Sequence, residues 1–213
     1  MDIGRPAARS TTGRARRYIG EGLATMHPAY FAMSMATGIV SIACHLLGLR
    51  ELSTALFWVN LVAYAGVWLA TIARVVLYPR AFLADWASHQ RGPGFFTSVA
   101  ATCVLGSQFV LLRQAPTVAF GLWVLSLLLW VLCTYTVFVA LTVRENKPSL
   151  AEGINGGWLL AVVATQAVCV LGTSVLPSRV ANRDAALFFL TSFWLCGGML
   201  YTWMISLVFY RYT

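Results

Sequence analysis

The sequence predicts an all-α protein that crosses a membrane six times, as three helical hairpins repeated along the chain. Of its 213 residues, 59% are hydrophobic and 10% are charged, whereas about 25% of a soluble domain is charged. Six stretches supply the roughly 20 apolar residues that a membrane-spanning helix needs. They are about 29–48, 54–78, 95–113, 117–143, 157–177 and 185–210. So much apolar surface requires lipid as its solvent.

A short pattern opens the first, third and fifth stretches, and it indicates the hairpin repeat. A Pro or Gly is followed two positions later by an aromatic residue, and Ala-Thr comes six positions after that. The threonines of the pattern, Thr37, Thr102 and Thr165, recur at a nearly constant spacing. A fixed period of this kind is typical of a repeated unit. We therefore expect hairpins at about 27–78, 93–143 and 156–210.

The first hairpin has clear boundaries. Pro28 suits the first turn of a helix, where its missing N–H costs nothing. The link from Leu49 to Ser53 is so short that the second helix must fold back against the first. Pro79 then ends the second helix. A cytoplasmic link follows, predicted to run over 79–92.

The second and third hairpins follow the same plan. Helix three is predicted to begin at Pro93 and to end at Arg113, and a minimal link through Pro116 leads to the uniformly apolar helix four. Helix five is expected to end at Pro177, and helix six closes at Tyr210.

Composition divides each hairpin into two kinds of helix. The first helix is richer in small and hydroxyl residues, which allow close packing, and the second is richer in bulky residues, which tolerate lipid. Helices one, three and five are thus predicted to form an inner layer that lines a pathway. Alternatively, Ala and Thr only help the helices to pack. The lining candidates are Ser34, Thr37, Ser41, Ser98, Thr102, Thr165 and Gln166.

The charges favour an anion pathway over a carboxylate-based proton or sodium pump. The seven acids all lie outside the predicted helix cores, whereas intramembrane carboxylates usually mark such pumps. Hydroxyls, helix dipoles and positive rims can conduct anions by weak, multi-site binding. We expect the mouth of the pathway at Tyr30, Phe31, Phe95, Phe96, Trp158 and Arg91. The alternative for Arg91 is a solvated charge that sets orientation.

The net charge of +8 is better explained by orientation than by nucleic acid, because the charges sit at helix ends. By the positive-inside rule both termini are predicted to be cytoplasmic, in a cell (inner) membrane. Residues 1–26 are expected to form a basic cytoplasmic tail, and residues 27–213 the transmembrane domain.

The sequence gives no sign of a metal, a cofactor or an enzyme active site. Five cysteines are scattered singly, which is typical of small packing residues. His27 and His45 fall about 27 Å apart by helix rise, too far to share a metal. Catalytic motifs are absent from the sequence.

Residues 28–43, 91–96 and 152–165 read PAYFAMSMATGIVSIA, RGPGFF and EGINGGWLLAVVAT. In these stretches the chain resembles the tellurite-resistance/dicarboxylate transporter family, which includes plant slow-type anion channels and fungal malate permeases. The resemblance implies a quasi-five-fold ring of five hairpins around a pore, trimeric assembly, and transport of C4-dicarboxylates such as malate, or of sulfite, nitrate, chloride or tellurite-related oxyanions.

Two departures from that family accompany the resemblance. The chain supplies three hairpins of five, so the family's gating phenylalanine has no counterpart, and the internal prolines that kink family helices are missing here. We expect either a truncated form lacking two C-terminal hairpins, which we favour, or a pore closed by self-association. The alternative to transport is a membrane scaffold or an inactive fragment.

Overall fold

Six membrane-spanning helices are present in the computed structural model, which describes residues 20–143, 149, 153–176 and 179–211. Residues 1–19 of the predicted tail, most of the link at 144–152 and Pro177 lie outside this description. The prediction of an all-helical, multi-pass membrane protein is confirmed. Among the described residues, the α-helices of eight or more residues are α1 (Phe31–Leu46), α2 (Arg50–Leu77), α3 (Pro79–Trp86), α4 (Phe96–Arg113), α5 (Pro116–Val143), α6 (Leu159–Val175) and α7 (Arg183–Tyr210). All of these except the short α3 span the membrane.

The link between α1 and α2 is shorter than predicted, because α2 begins at Arg50 rather than near residue 54. Gly48 has a φ of +81°, a left-handed conformation that glycine adopts without steric cost. The N–H of Leu49 then donates to the carbonyl of Cys44 at 2.9 Å. This turn reverses the chain and leaves α2 antiparallel to α1.

The predicted cytoplasmic link at 79–92 contains a short helix that was not predicted from the sequence. Pro79 ends α2 and also occupies the first position of α3, where a proline fits without losing a hydrogen bond. Trp86 of α3 stacks on Phe95, with ring centroids 3.7 Å apart and planes 4° apart. The link is therefore a structured layer at the end of the bundle where α1, α4 and α6 begin, here called the proximal end.

The spanning helices form two layers. In the inner layer α4 lies between α1 and α6. In the outer layer α2 packs on α1, α5 packs on α4 and α6, and α7 packs on α6. Burial is highest on α4 and α6, whereas α2, α5 and α7 are mostly exposed, and α1 at the edge of the inner layer is nearly as exposed as they are. The first helix of each hairpin thus lies inside and the second outside.

Two glycines permit close approach within the inner layer. A Cβ on Gly38 of α1 would lie 2.5 Å from Val104 of α4, and one on Gly106 of α4 would lie 2.5 Å from Leu171 of α6. Both distances are too short for real atoms, so an alanine at either position would have to displace the facing side chain. Small residues at such contacts are typical of helix packing in membranes.

A buried ion cluster organises the proximal end. Oδ2 of Asp85 on α3 lies 2.7 Å from Nη1 of Arg74 on α2, and Oδ1 lies 2.6 Å from Nε of Arg91. The two guanidinium groups also donate to backbone carbonyls of the segment before α1, at Ala24 and Met26. One carboxylate therefore ties together α2, α3, the start of the second hairpin and the segment that leads into the first.

We predict that Asp85→Asn lowers the free energy of unfolding by about 3–5 kcal/mol, because Arg74 stays buried and loses its counter-charge. Arg74 is only 3% exposed. Chemical denaturation in detergent, followed by circular dichroism, measures the change. The matched control is Asp184→Asn on the exposed first turn of α7, where the loss should stay below about 1 kcal/mol. Equal losses in the two variants would contradict the role given to the cluster.

Candidate functional site

The inner layer has an open groove on the face that points away from α2 and α5. This inner groove has a volume of about 430 Å³ and touches all three inner helices. Its wall is mostly apolar, and Ser107 and Gln166 provide its hydroxyl and amide groups. The groove is lined by, among others, Met35, Ile39, Val104, Ser107, Val163 and Gln166.

The repeat fixes which residues face the groove. Met35, Ala100 and Val163 all line it, and each precedes the repeated threonine of its helix by two positions. Two residues turn an α-helix by about 200°. The repeated threonines therefore lie on the back of the inner layer, toward the outer helices.

Two of these threonines make equivalent contacts with an outer helix. Tyr64 of α2 lies 2.8 Å from Thr102 Oγ1, and Nε1 of Trp130 on α5 donates to Thr165 Oγ1 at 2.8 Å. Thr102 and Thr165 each donate their own proton to the carbonyl four residues earlier, so Tyr64 is the donor in its pair. We call these two contacts the back-face clamps; each joins an inner helix to the outer helix of the preceding hairpin.

The serines predicted to line the pathway on α1 also face the outer helix. Ser34 Oγ donates to Asn60 Oδ1 at 2.6 Å, and Asn60 Nδ2 donates to Gln108 Oε1 at 2.6 Å. Ser41 and Ser53 each donate to the other's backbone carbonyl at 2.8 Å. All five side chains are buried, so they pair polar groups between helices within the apolar bundle.

The remaining lining candidates divide between other surfaces. Ser98 donates to the carbonyl of Phe95 at 2.7 Å and borders a separate cavity between α2 and α5. Thr37 is half-buried on the back of α1. Gln166 borders the inner groove, while its Nε2 donates to the carbonyl of Trp194 on α7 at 3.1 Å. Of the seven candidates, Gln166 is the one that the structure places at the groove.

The aromatic residues predicted at the mouth lie mainly inside the bundle. Phe31, Phe95, Phe96 and Trp158 are buried, whereas Tyr30 is 54% exposed. Phe31 packs against two aromatic rings of α2, and Trp158 Nε1 donates to the carbonyl of Gly153 at 2.9 Å. These side chains fix how the helices begin.

Arg91, the charged candidate for the mouth, is held in the ion cluster with Asp85. The neighbouring His27 caps the turn before α1, where its Nδ1 accepts the N–H of Ala29 at 3.1 Å. Burial, and then the positive charge of Arg91, lower the pKa of His27 below its usual value. A neutral imidazole is the form that can accept this hydrogen bond.

Comparison with known proteins identifies the family to which this arrangement belongs. A family model described as voltage-dependent anion channel matches residues 25–213. The chain belongs to this family. The resemblance to tellurite-resistance/dicarboxylate transporters is thereby confirmed.

The relatives are transporters of greater length. The chain is 27% identical over 199 residues to the sulfite efflux pump SSU1 of Trichophyton rubrum, with 88% of this chain and 52% of the pump covered. It is 24% identical over 191 residues to an uncharacterized transporter of Methanocaldococcus jannaschii, with coverages of 86% and 55%. The chain thus spans about half the length of these curated relatives. No solved structure shows significant similarity to it.

We predict that the back-face clamps stabilise the packing of neighbouring hairpins. A double-mutant cycle of Tyr64→Phe and Thr102→Val should show a coupling of about 0.6 kcal/mol, and up to about 1.7 kcal/mol, as for other hydrogen bonds between membrane helices. Unfolding in mixed micelles measures it, and Trp130→Phe with Thr165→Val should behave alike.

The matched control for these cycles is the mispaired combination of Tyr64→Phe with Thr165→Val. These residues belong to different clamps, so their effects should add without coupling. Coupling in the mispaired cycle, or its absence from both paired cycles, would contradict the assignment.

Proposed function

We propose that this chain contributes part of a transmembrane pathway for a small inorganic anion, with sulfite as the first candidate. The family match over residues 25–213 and the similarity to proteins named sulfite efflux pumps support the proposal. Malate, nitrate, chloride and tellurite-related oxyanions, which the family resemblance suggested, are alternative substrates to be compared with sulfite.

The charge pattern of the described helices suits an anion. The acids on the spanning helices are Glu51 and Asp184, and both sit in a first helical turn. A negative side chain in the groove would repel an anion, and none of the residues lining the inner groove is acidic. This distribution is the main structural support for an anionic substrate.

We place the pathway along the inner groove. Its wall offers Ser107 and Gln166 as hydrogen-bonding groups between Met, Ile, Val and Ala side chains. Weak binding lets an ion leave as readily as it enters, and apolar constrictions can gate a pore by losing their water. We therefore assign the apolar wall a gating role and the two polar groups a binding role.

We further propose that the proximal end faces the cytoplasm of the cell that carries the protein in its plasma (inner) membrane. The asymmetry that supports this orientation lies in the chain before α1 and in the link before α6, since residues 5–17 and 144–147 carry seven Arg or Lys residues. Homo-oligomeric, trimeric assembly stays a prediction from the family resemblance.

Flux measurements test the transport proposal. Purified protein in liposomes loaded with sulfite should release it faster than protein-free liposomes, and parallel liposomes loaded with nitrate, chloride or malate rank the substrates. The scaffold alternative predicts no flux. Absence of flux for every anion, from a preparation that retains its helical circular dichroism, would contradict the proposal.

Cysteine accessibility tests the location of the pathway. Val163→Cys, at a position 41% exposed in the inner groove, should react with a membrane-impermeant, negatively charged thiosulfonate, and the reaction should block flux. The reagent needs a thiolate, which forms where water reaches the thiol. Val131→Cys, 52% exposed on the outer helix α5, is the matched control and should not react. Equal labelling of both cysteines would rule out the groove as the aqueous route.

A further inference from the structure

A second cavity lies between the first two hairpins, on the opposite side of the inner layer from the inner groove. This lateral cavity has a volume of about 210 Å³, with α2 and α5 as its side walls and α4 at its back. Phe82 and Trp86 of α3 close its proximal end. Ile72, Val76 and Leu132, at 55%, 72% and 53% exposure, stand at its opening. The opening is therefore on the lipid-facing surface of the outer layer.

The walls of the lateral cavity are mostly apolar, although the buried indole N–H of Trp68 has no hydrogen-bond partner among the described residues. The cavity's two hydroxyls belong to Thr71 and Ser98, and each already donates to a carbonyl of its own hairpin, at 2.8 and 2.7 Å. The rest of the wall is made of aliphatic and aromatic side chains and the Cys133 thiol. An apolar cavity of about 150 Å³ stays dry and can hold benzene. A cavity of this size and lining thus suits a segment of hydrocarbon.

The helix that closes the cavity carries a positive charge suited to a lipid headgroup. Arg80 is exposed in the first turn of α3, close in sequence to Val75 and Val76 of α2, which line the cavity. It precedes Phe82 by two positions, so it lies on the outward face of α3 rather than on the face that closes the cavity. Among the residues that the structure describes, Arg80 has no hydrogen-bond or ion-pair partner, unlike Arg74 and Arg91, which both pair with Asp85. Basic side chains at a membrane surface attract anionic lipid headgroups.

We propose that the lateral cavity binds one acyl chain of an anionic phospholipid, whose phosphate lies near Arg80. The bound acyl chain would lie between α2 and α5 and contact Phe95 at the start of α4. It would fill a gap between the hairpins that protein side chains leave open. The side chains of the wall would then make dispersion contacts that an empty cavity lacks. This site is independent of the proposed transport function.

Native mass spectrometry of the purified chain tests the proposal. Protein exchanged into detergent with phosphatidylglycerol should retain one lipid per chain, with phosphatidylcholine retained less. Leu132→Trp places an indole at the opening and should reduce retention at least fivefold. The matched control is Leu128→Trp, one turn away on α5, 63% exposed and outside the cavity wall, which should retain lipid normally. Equal retention in the two variants would overturn the proposal.

Two further measurements keep the test decisive if Leu132→Trp folds poorly. Arg80→Gln should abolish the preference for phosphatidylglycerol over phosphatidylcholine, and an unchanged preference would remove the headgroup assignment. In the wild-type chain, a phosphatidylglycerol with a photoreactive acyl chain should label peptides that contain residues 68–76 or 129–133. Labelling confined to other helices, or cross-links between two copies of the chain at this opening, would contradict a lipid occupant.

Discussion

The structure depends on one constraint, that polar side chains in a membrane must find their partners within the protein. Hydrocarbon offers no hydrogen bonds, so an unpaired hydroxyl or amide there is costly. The chain meets much of this requirement between its layers, where Tyr64 donates to Thr102, Trp130 donates to Thr165 and Ser34 donates to Asn60. The buried Nε2 of Gln108 and Nε1 of Trp68 are left without a partner among the described residues. These bonds fix the rotation of each inner helix about its axis, and that rotation leaves an apolar face for the inner groove.

The same constraint explains how far the sequence could be interpreted. Apolar length and the positions of Pro28, Pro79 and Pro116 predict the six spans to within a few residues, because both signals act within one helix. The period of the threonines also identifies the hairpin repeat. It cannot tell which way a threonine points, since a hydroxyl can face water or a partner helix. The partners, Tyr64 and Trp130, look like ordinary lipid-facing aromatics until the helices are docked.

Charges near the ends of the spans raised a similar ambiguity. Arg74 and Arg91 near helix ends fit the positive-inside rule. Because that rule already accounts for both charges, it does not predict that they share a carboxylate on α3. Asp85 has neither an (i, i+3) nor an (i, i+4) spacing to either arginine, the spacings at which side chains meet on one helix. The cluster forms because Pro79 starts a new helix that returns toward α4. Tertiary contacts, here the stacking of Trp86 on Phe95, decide that fold, which the mixed polar and apolar composition of residues 79–92 does not specify.

The back-face clamps also indicate which hydrogen-bond donor a helix packed against the open side of α1 would need. Tyr64 lies as far along α2 from its start as Trp130 lies along α5 from its own. The residue at the same distance along α7 is Gly197, which has no side-chain donor. Thr37 occupies the threonine position on α1, and its hydroxyl makes no hydrogen bond with any described residue. A helix that covered α1 as α2 covers α4 would therefore need its own aromatic donor, and α7 does not carry one at the equivalent position.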